Sequence, residues 1–351
     1  MGYLARRAIE EWLFSASLIG FIASSVILRR LPRYTYDDFQ VLFTLAVFLV
    51  VVRGLERYGL LSRLAARLSK GKHLPLKLVI LTGLLSALVT NDVAVLVVVP
   101  LTLAMDVASM ERLVVLEALA ANAMSALTPF GNPQNLFIYY HYGLHIAEFM
   151  GEIFPFALVS LGLVALLAWP LNPGTRGAKP PEVKRRAYLY LALFLLFALV
   201  VLKVLPIWVG AIPLVYALIW DKKTLRIDYF LLATLACFFG FTDNLASAIR
   251  LTLTSPNSVF LYSLATSQLI SNVPSTLLLA DFTQRWQPLL WGVSVGGYGS
   301  LVGSLASLIA YRLHVQRRRR QLAFLGWFHA YNFLALAVGV FLYFALGGGR
   351  G

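Results

Sequence analysis

The sequence predicts an all-α membrane protein made of two inverted repeats, each holding a re-entrant hairpin and a broken helix. Three observations carry that expectation. Hydrophobic residues make up 59% of the 351 and charged residues 13%, with a mean hydropathy of +0.76, where a soluble domain averages roughly 45–50% apolar and 25% charged. Apolar runs near the length that crosses a ~30 Å hydrocarbon core recur along the whole chain. Several of them are interrupted by polar or Gly/Pro groups at matching places in the two halves.

Met1 to Arg7 is basic and leads into Trp12–Leu28, an apolar run with no small-residue cleavage site behind it. It reads as a retained first span, not a signal peptide. Phe39–Val52 is the next span. Within 54–70, Leu60, Leu61, Leu64 and Leu68 share one helical face while Arg63, Arg67 and Lys70 share another, as in a helix lying in the membrane interface. Leu74–Met105 is broken at Thr90-Asn91-Asp92. At ~1.5 Å per residue each arm reaches about 20 Å, enough to meet the midplane and turn back but not to cross. Such a hairpin leaves the first N–H groups of its second arm unpaired at membrane depth, which is tolerated only inside protein or beside a cavity.

Glu117–Phe137 comes next and contains Thr128-Pro129-Phe130-Gly131-Asn132-Pro133-Gln134-Asn135; two prolines and a glycine must open that helix. Ile153–Leu171 closes the first half. Residues 172–186, rich in Pro, Gly and charge, form a linker, and Ala187–Leu205 with Pro206–Trp220 forms a connecting pair. Tyr229–Leu245 begins the second half. Asn257–Asp281 is broken at Ser271-Asn272, Trp286–Tyr311 is opened by Gly296-Gly297-Tyr298-Gly299-Ser300 and Gly303-Ser304, and Leu322–Leu346 is the last span. The chain thus divides into an N-terminal span and loop (1–37), a first repeat (38–171), the linker and connecting pair (172–227) and a second repeat (228–351).

Lys and Arg number 30 against 16 Asp and Glu, a net charge of +14. With the N-terminus cytoplasmic and each broken stretch entering and leaving on one side, 23 of the 30 basic residues fall inside, as the positive-inside rule requires. The C-terminus then lies outside, and the chain is a multi-pass protein of the cell membrane. Topology accounts for the charge, so nucleic acid is not expected as a partner. Membrane lipid is, and the Arg317–Arg320 run reads as an anchor that can touch anionic headgroups. Cys237 is the single cysteine, which rules out an internal disulfide and thiolate metal chemistry. His141 and His145 have the spacing of a zinc pair but lack a third ligand at a set interval. No P-loop, dinucleotide fingerprint or nucleophile elbow is present, and neither a metal nor an organic cofactor is expected.

Leu42-Phe43-Thr44-Leu45-Ala46-Val47-Phe48 aligns with Leu232-Ala233-Thr234-Leu235-Ala236-Cys237-Phe238, five identities in seven at an offset of 190. Thr90-Asn91 then aligns with Ser271-Asn272, and the 131–136 segment with 303–308. The helix pair between the units changes the phase, so the repeats are inverted, the architecture of many secondary transporters.

The candidate site follows from those breaks. Thr90, Asn91, Asn132 and Asn135 of the first unit, with Ser271, Asn272, Ser300 and Ser304 of the second, are candidates for holding a solute. Asn91 and Asn272 suit the capping positions of the return helices, and Pro274 the first turn after one of them. Freed carbonyls at Gly131, Gly299 and Gly303 suit a cation. Ionisable groups inside spans are costly and mark function; Asp92 at the first tip and Asp243 are the candidates for coupling to sodium or a proton. Asp243 aligns with Arg53, so an ion pair between them is the structural alternative. Glu117, Asp106, Asp281 and Arg250, near predicted span ends, are expected to be solvated.

Taken together, Thr90-Asn91-Asp92-Val93-Ala94-Val95-Leu96-Val97-Val98-Val99-Pro100, Gly131-Asn132-Pro133-Gln134-Asn135, Ser271-Asn272-Val273-Pro274 and Gly296-Gly297-Tyr298-Gly299-Ser300-Leu301-Val302-Gly303 resemble the ion transporter superfamily. That superfamily includes arsenite permeases, sodium/proton antiporters of the same fold and divalent-anion symporters; Gly131 to Asn135 looks like its small anion-permease branch. The likeness covers about residues 38–346. It implies a homodimer whose transport domain, made of both hairpins and both broken helices, moves against a scaffold like an elevator. In the dicarboxylate branch both tips read Ser-Asn-Thr. Here they read Thr90-Asn91-Asp92 and Ser271-Asn272-Val273, and an acid after the first Asn is more like the arsenite and antiporter branches. The expected activity is secondary transport of a small anion or oxyanion. A sodium/proton antiporter, and a polytopic membrane enzyme with its polar groups at one membrane face, are the alternatives.

Overall fold

The structure is a computed structural model that describes residues 12–68, 73–104, 109–171, 182–248, 252–317 and 321–347. Among these residues every regular element is a helix. The basic N-terminus, Lys70, Asp106, most of the linker, Arg250 and Arg318 to Arg320 lie outside them.

Helix α1 (Trp12–Ile27) packs against α11 (Tyr229–Ala248). The contact is polar as well as apolar: Asn244 Nδ2 donates to the hydroxyls of Ser24 and Ser25 at 3.1 and 3.0 Å, and Arg30 pairs with Asp243 at 2.6 Å. Arg53, the partner that the repeat alignment offers Asp243 as an alternative, pairs instead with Glu56 at 2.7 Å. Repeat alignment equates positions, not neighbours, and it is the docking of α1 that decides which cation reaches Asp243.

Helix α2 (Tyr36–Arg57) starts in a capping box, Thr35 accepting from the Asp38 N–H while the Asp38 carboxylate accepts from the Thr35 N–H. It stays helical to Arg57, five residues past the last apolar residue of the predicted span. Gly54 there lets the Tyr190 ring lie on the backbone, where a Cβ would collide with it. Tyr58 and Tyr190 both donate to Asp221 Oδ2, at 2.6 and 3.1 Å, tying the end of α2 to α9 (Arg186–Val201) and to the turn after α10 (Ala211–Trp220). Helix α3 (Leu60–Leu68) forms within the predicted amphipathic segment, with Leu61 buried and Leu64 exposed.

The interrupted stretches become helix pairs. α4 (Leu74–Leu88) and α5 (Asn91–Leu103) meet at a two-residue tip, and α12 (Pro256–Ile270) and α13 (Asn272–Ala280) meet at Ser271 alone. α6 (Met110–Ser125) and α7 (Pro133–His141) are parted by residues 126–132, α14 (Trp286–Gly296) and α15 (Leu305–Arg317) by residues 297–304. The predicted spans 117–137 and 286–311 are therefore two helices each. α8 (Ile146–Ala168) and α16 (Gln321–Ala345) pack beside them.

Among the described residues four helices, α2, α8, α11 and α16, are long and apolar enough to cross a membrane. Leu166, Trp169, Leu195, Trp208, Trp220 and Phe341 are exposed on α8, α9, α10, α16 and the adjoining turns. So much exposed apolar surface suits lipid, not water.

A cavity between two hairpin tips

A cavity of about 50 Å³ lies where the tips meet, lined by Asn91 and Asp92, Asn132 to Gln134, Ser271 to Pro274, Leu305, and Leu231, Thr234, Leu235 and Phe238 of α11. One buried water needs about 10–15 Å³ on this measure, so a solute of a few heavy atoms fits. Asn91, Pro133, Asn272 and Leu305 are the first residues of α5, α7, α13 and α15. Four helix N-termini therefore converge on one space, and no Lys, Arg or His is among the lining residues.

The tips are held to the broken helices by equivalent bonds. The Asn91 N–H donates to Gly131 O at 3.1 Å, and the Asn272 N–H to Gly303 O at 3.3 Å. Capping falls one residue earlier than expected. Thr90, extended at φ −143° and ψ 159°, accepts the Val93 N–H on its hydroxyl at 3.3 Å, whereas Asn91 lies inside the first turn with its Oδ1 on the Asp92 N–H at 2.9 Å. The side chain that caps must precede the first helical residue, and the close turn at the tip makes Asn91 that residue. Ser271 takes the same place in the second tip at φ 75° and ψ 160°, without a side-chain cap bond. For a residue with a Cβ this backbone costs on the order of 1–3 kcal/mol. Pro274 sits in the first turn of α13, as expected.

Thr90→Ala is expected to lower stability by about 0.5–2 kcal/mol, the usual worth of an N-cap. Asn91→Ala, by contrast, is expected to affect transport more than stability. Thermal unfolding and flux measured on both variants check the division.

Asn122, which is not among the candidates drawn from the helix breaks, joins the two halves. Its Oδ1 accepts from Asn91 Nδ2 at 3.1 Å and from the Ser304 hydroxyl at 2.7 Å, while its Nδ2 donates to Gly297 O and the Ser307 hydroxyl, both at 3.3 Å. An Asn inside an apolar helix was the available signal. Asn132 Nδ2 donates to the Ser125 hydroxyl at 2.8 Å. Asn135 is fully buried and lies outside the cavity lining; its Nδ2 binds loop carbonyls. Ser300 donates its hydroxyl to Gln268 O and accepts the Gly303 N–H, both at 3.0 Å. Gly299 takes a positive φ of 97° in the second loop, and a Cβ there would strike the Gln268 side chain. Thus Asn91, Asp92, Asn132, Ser271 and Asn272 reach the cavity, Thr90 and Ser304 bond the groups behind it, and Asn135, Ser300 and the glycines shape the loops.

Two buried oxygens near the cavity have no partner: Asp92 Oδ1, and Oε1 of Gln134, a residue 1% exposed. Asp243, engaged by Arg30 and by the Arg33 N–H at 2.9 Å, is not among the residues the fold brings to the cavity. Asp281 is exposed, as expected. Glu117 is not: it is fully buried on α6, Oε1 accepting from the Thr102 hydroxyl at 2.5 Å and Oε2 without a partner. α6 starts at Met110, so Glu117 falls in mid-helix and not at an end. His141 stacks on Phe137, His145 precedes α8, and no metal-ligand cluster occurs among the described residues.

Helix tips and opened helices closing on one cavity, inside a body with an apolar outer surface, define a membrane transporter. The chain belongs to the CitMHS citrate transporter family, which matches residues 12–296, within the ion transporter superfamily. It is 33% identical to the inner membrane protein YbiR of Escherichia coli over 84% of each chain, and 32% identical to an uncharacterized transporter of Methanocaldococcus jannaschii over 79% of this chain and 81% of that one. A shorter match, 32% identity over 38% of this chain and 29% of the other, is to the silicon efflux transporter LSI3 of Oryza sativa.

Proposed function

We propose that this membrane protein is a secondary active transporter that carries a small anion or oxyanion through the cavity between the two tips, coupled to sodium or protons. The observation that carries the reading is the convergence of four helix N-termini on a space without a basic side chain. Each helix end acts as roughly half a positive charge, so four supply about two, against one for the Asp92 carboxylate. The balance favours an anion at these helix ends, with α5 contributing its dipole and not its donors, since its first three N–H groups already bond within the protein. The family to which the chain belongs is named for citrate, an organic anion, which agrees with an anionic solute.

The matching tip bonds of Asn91 and Asn272 support two inverted repeats with re-entrant hairpins. So do the aligned trios Thr44, Leu45, Phe48 and Thr234, Leu235, Phe238, each of which lines a cavity that also touches Asn132. In this reading hairpins and broken helices move together against α2, α9 and α10, the chain works as a homodimer with a cytoplasmic N-terminus and an outer C-terminus, and Asp92 carries the coupling charge.

The test is a panel of silicate, arsenite, citrate and phosphate added to the purified protein during thermal unfolding. A ligand that binds only the folded state at about 100 times its Kd adds about 2.7 kcal/mol. At least one oxyanion is expected to raise the midpoint, and Asn272→Ala to remove the rise. Stabilisation by sodium or pH with no response to any anion would make the protein a cation antiporter.

A further inference from the structure

A helix broken at membrane depth frees carbonyl oxygens, and such oxygens can replace a cation's water shell. In this chain a side-chain amide already occupies several oxygens of each set. Asn135, at the start of α7, sends Nδ2 to the carbonyls of Ser125, Ala126 and Thr128 at 2.9, 3.1 and 3.0 Å. Its Oδ1 is buried with no partner, so the residue meets the loop with donors only. In the second loop Gln268 of α12 sends Nε2 to the carbonyls of Gly296 and Tyr298 at 2.8 and 2.9 Å, while its Oε1 accepts the Ser300 N–H at 2.8 Å. Three more loop carbonyls, those of Gly131, Gly297 and Gly303, accept from Asn91, Asn122 and Asn272.

The two amides sit on different kinds of element, one on the second half of a broken helix and one on the first arm of a hairpin. They are not one feature copied by the repeat. A hard cation takes oxygen ligands at about 2.3–2.6 Å, as calcium does, and an amide nitrogen 2.8 to 3.1 Å from these five oxygens leaves no position for it among them. We infer that Asn135 and Gln268 are ion-specificity residues that close both broken-helix loops to sodium. This deepens the transport reading above and rests on it for its meaning, yet it is tested without any solute.

The experiment compares thermal unfolding of the purified full chain in sodium chloride and in choline chloride at equal ionic strength and alkaline pH. The parent is expected to unfold at the same midpoint in both salts. Asn135→Asp and Gln268→Glu keep the shape but set a carboxylate against the carbonyls, so both are expected to lose stability in choline and regain it saturably in sodium. A saturable, sodium-specific rise in the parent that persists in Asp92→Asn would put sodium in the loops and overturn the inference. A rise that Asp92→Asn removes would place sodium on that carboxylate and leave the loops closed, as inferred. Carboxylate variants that fold normally and ignore sodium would also overturn it, and if neither folds the parent comparison decides. An oxyanion panel without effect would count against the transport reading only.

Discussion

Asp92→Asn is expected to abolish gradient-driven uptake while leaving exchange of solute at equal concentrations largely intact. The carboxylate stands in the first turn of α5 at the cavity, and its Oδ1 is buried with no partner in the protein. An ionisable group that deep is costly and is kept for a function. Asparagine preserves the shape and the hydrogen bonding of the tip but cannot carry a proton or balance a cation. Coupling between two ligands is typically worth about 1–3 kcal/mol, or about 5–150-fold in affinity, and driven flux should fall within or beyond that range. Exchange requires only that the loaded carrier move, so it survives. Flux in proteoliposomes, once under an imposed proton or sodium gradient and once as counterflow, separates the two. A variant with the parent's driven flux would reduce Asp92 to an acid at a helix N-terminus and move coupling to a group such as the buried Glu117.

Gly131→Ala is expected to cost more stability than removal of any side chain at the cavity. A Cβ on Gly131 would run into the backbone of Ser125, carbonyl oxygen included, and no rotamer change moves a backbone. Overpacking costs typically about 1–3 kcal/mol and occasionally more; a collision with main chain belongs at the upper end. The shift also pulls Gly131 O from the Asn91 N–H it accepts at 3.1 Å, so folded yield and transport should fall together. Gly151→Ala is the control, because a Cβ on that exposed residue of α8 meets nothing within 4 Å and alanine favours a helix by about 0.5–1 kcal/mol over glycine. Folded yield by gel filtration and the unfolding midpoint read both.

Some of this was legible in the residues because it depends on chain-local physics. Apolar run length and its interruptions at Thr90-Asn91-Asp92 and Ser271-Asn272 placed both tips within a residue, and the Pro and Gly of residues 129–133 located the break between α6 and α7. Helix propensity and span length act over a few neighbouring residues, so sequence suffices for them. Asn91, Asn132, Ser271 and Asn272, which line the cavity, stand out in the sequence for the same reason: each is a polar break in an apolar run.

Other features required the fold. That Asp243 meets Arg30 and not Arg53 follows from α1 docking on α11, some 210 residues away in the chain. Burial of Glu117 depends on where α6 begins, a boundary that hydropathy alone set seven residues too late. Asn122 and Gln268 lie in helices whose sequence shows no break, and their amides matter only because loops from elsewhere bring carbonyls to them. Residue order was enough for the all-helical membrane class, the family and the positions of the helix breaks, since hydrophobic length and local breaks are written along the chain. Tertiary structure alone decided which polar groups share the cavity, which caps hold and which carbonyls are already taken, because a hydrogen bond reaches about 3 Å in space whatever the separation along the chain.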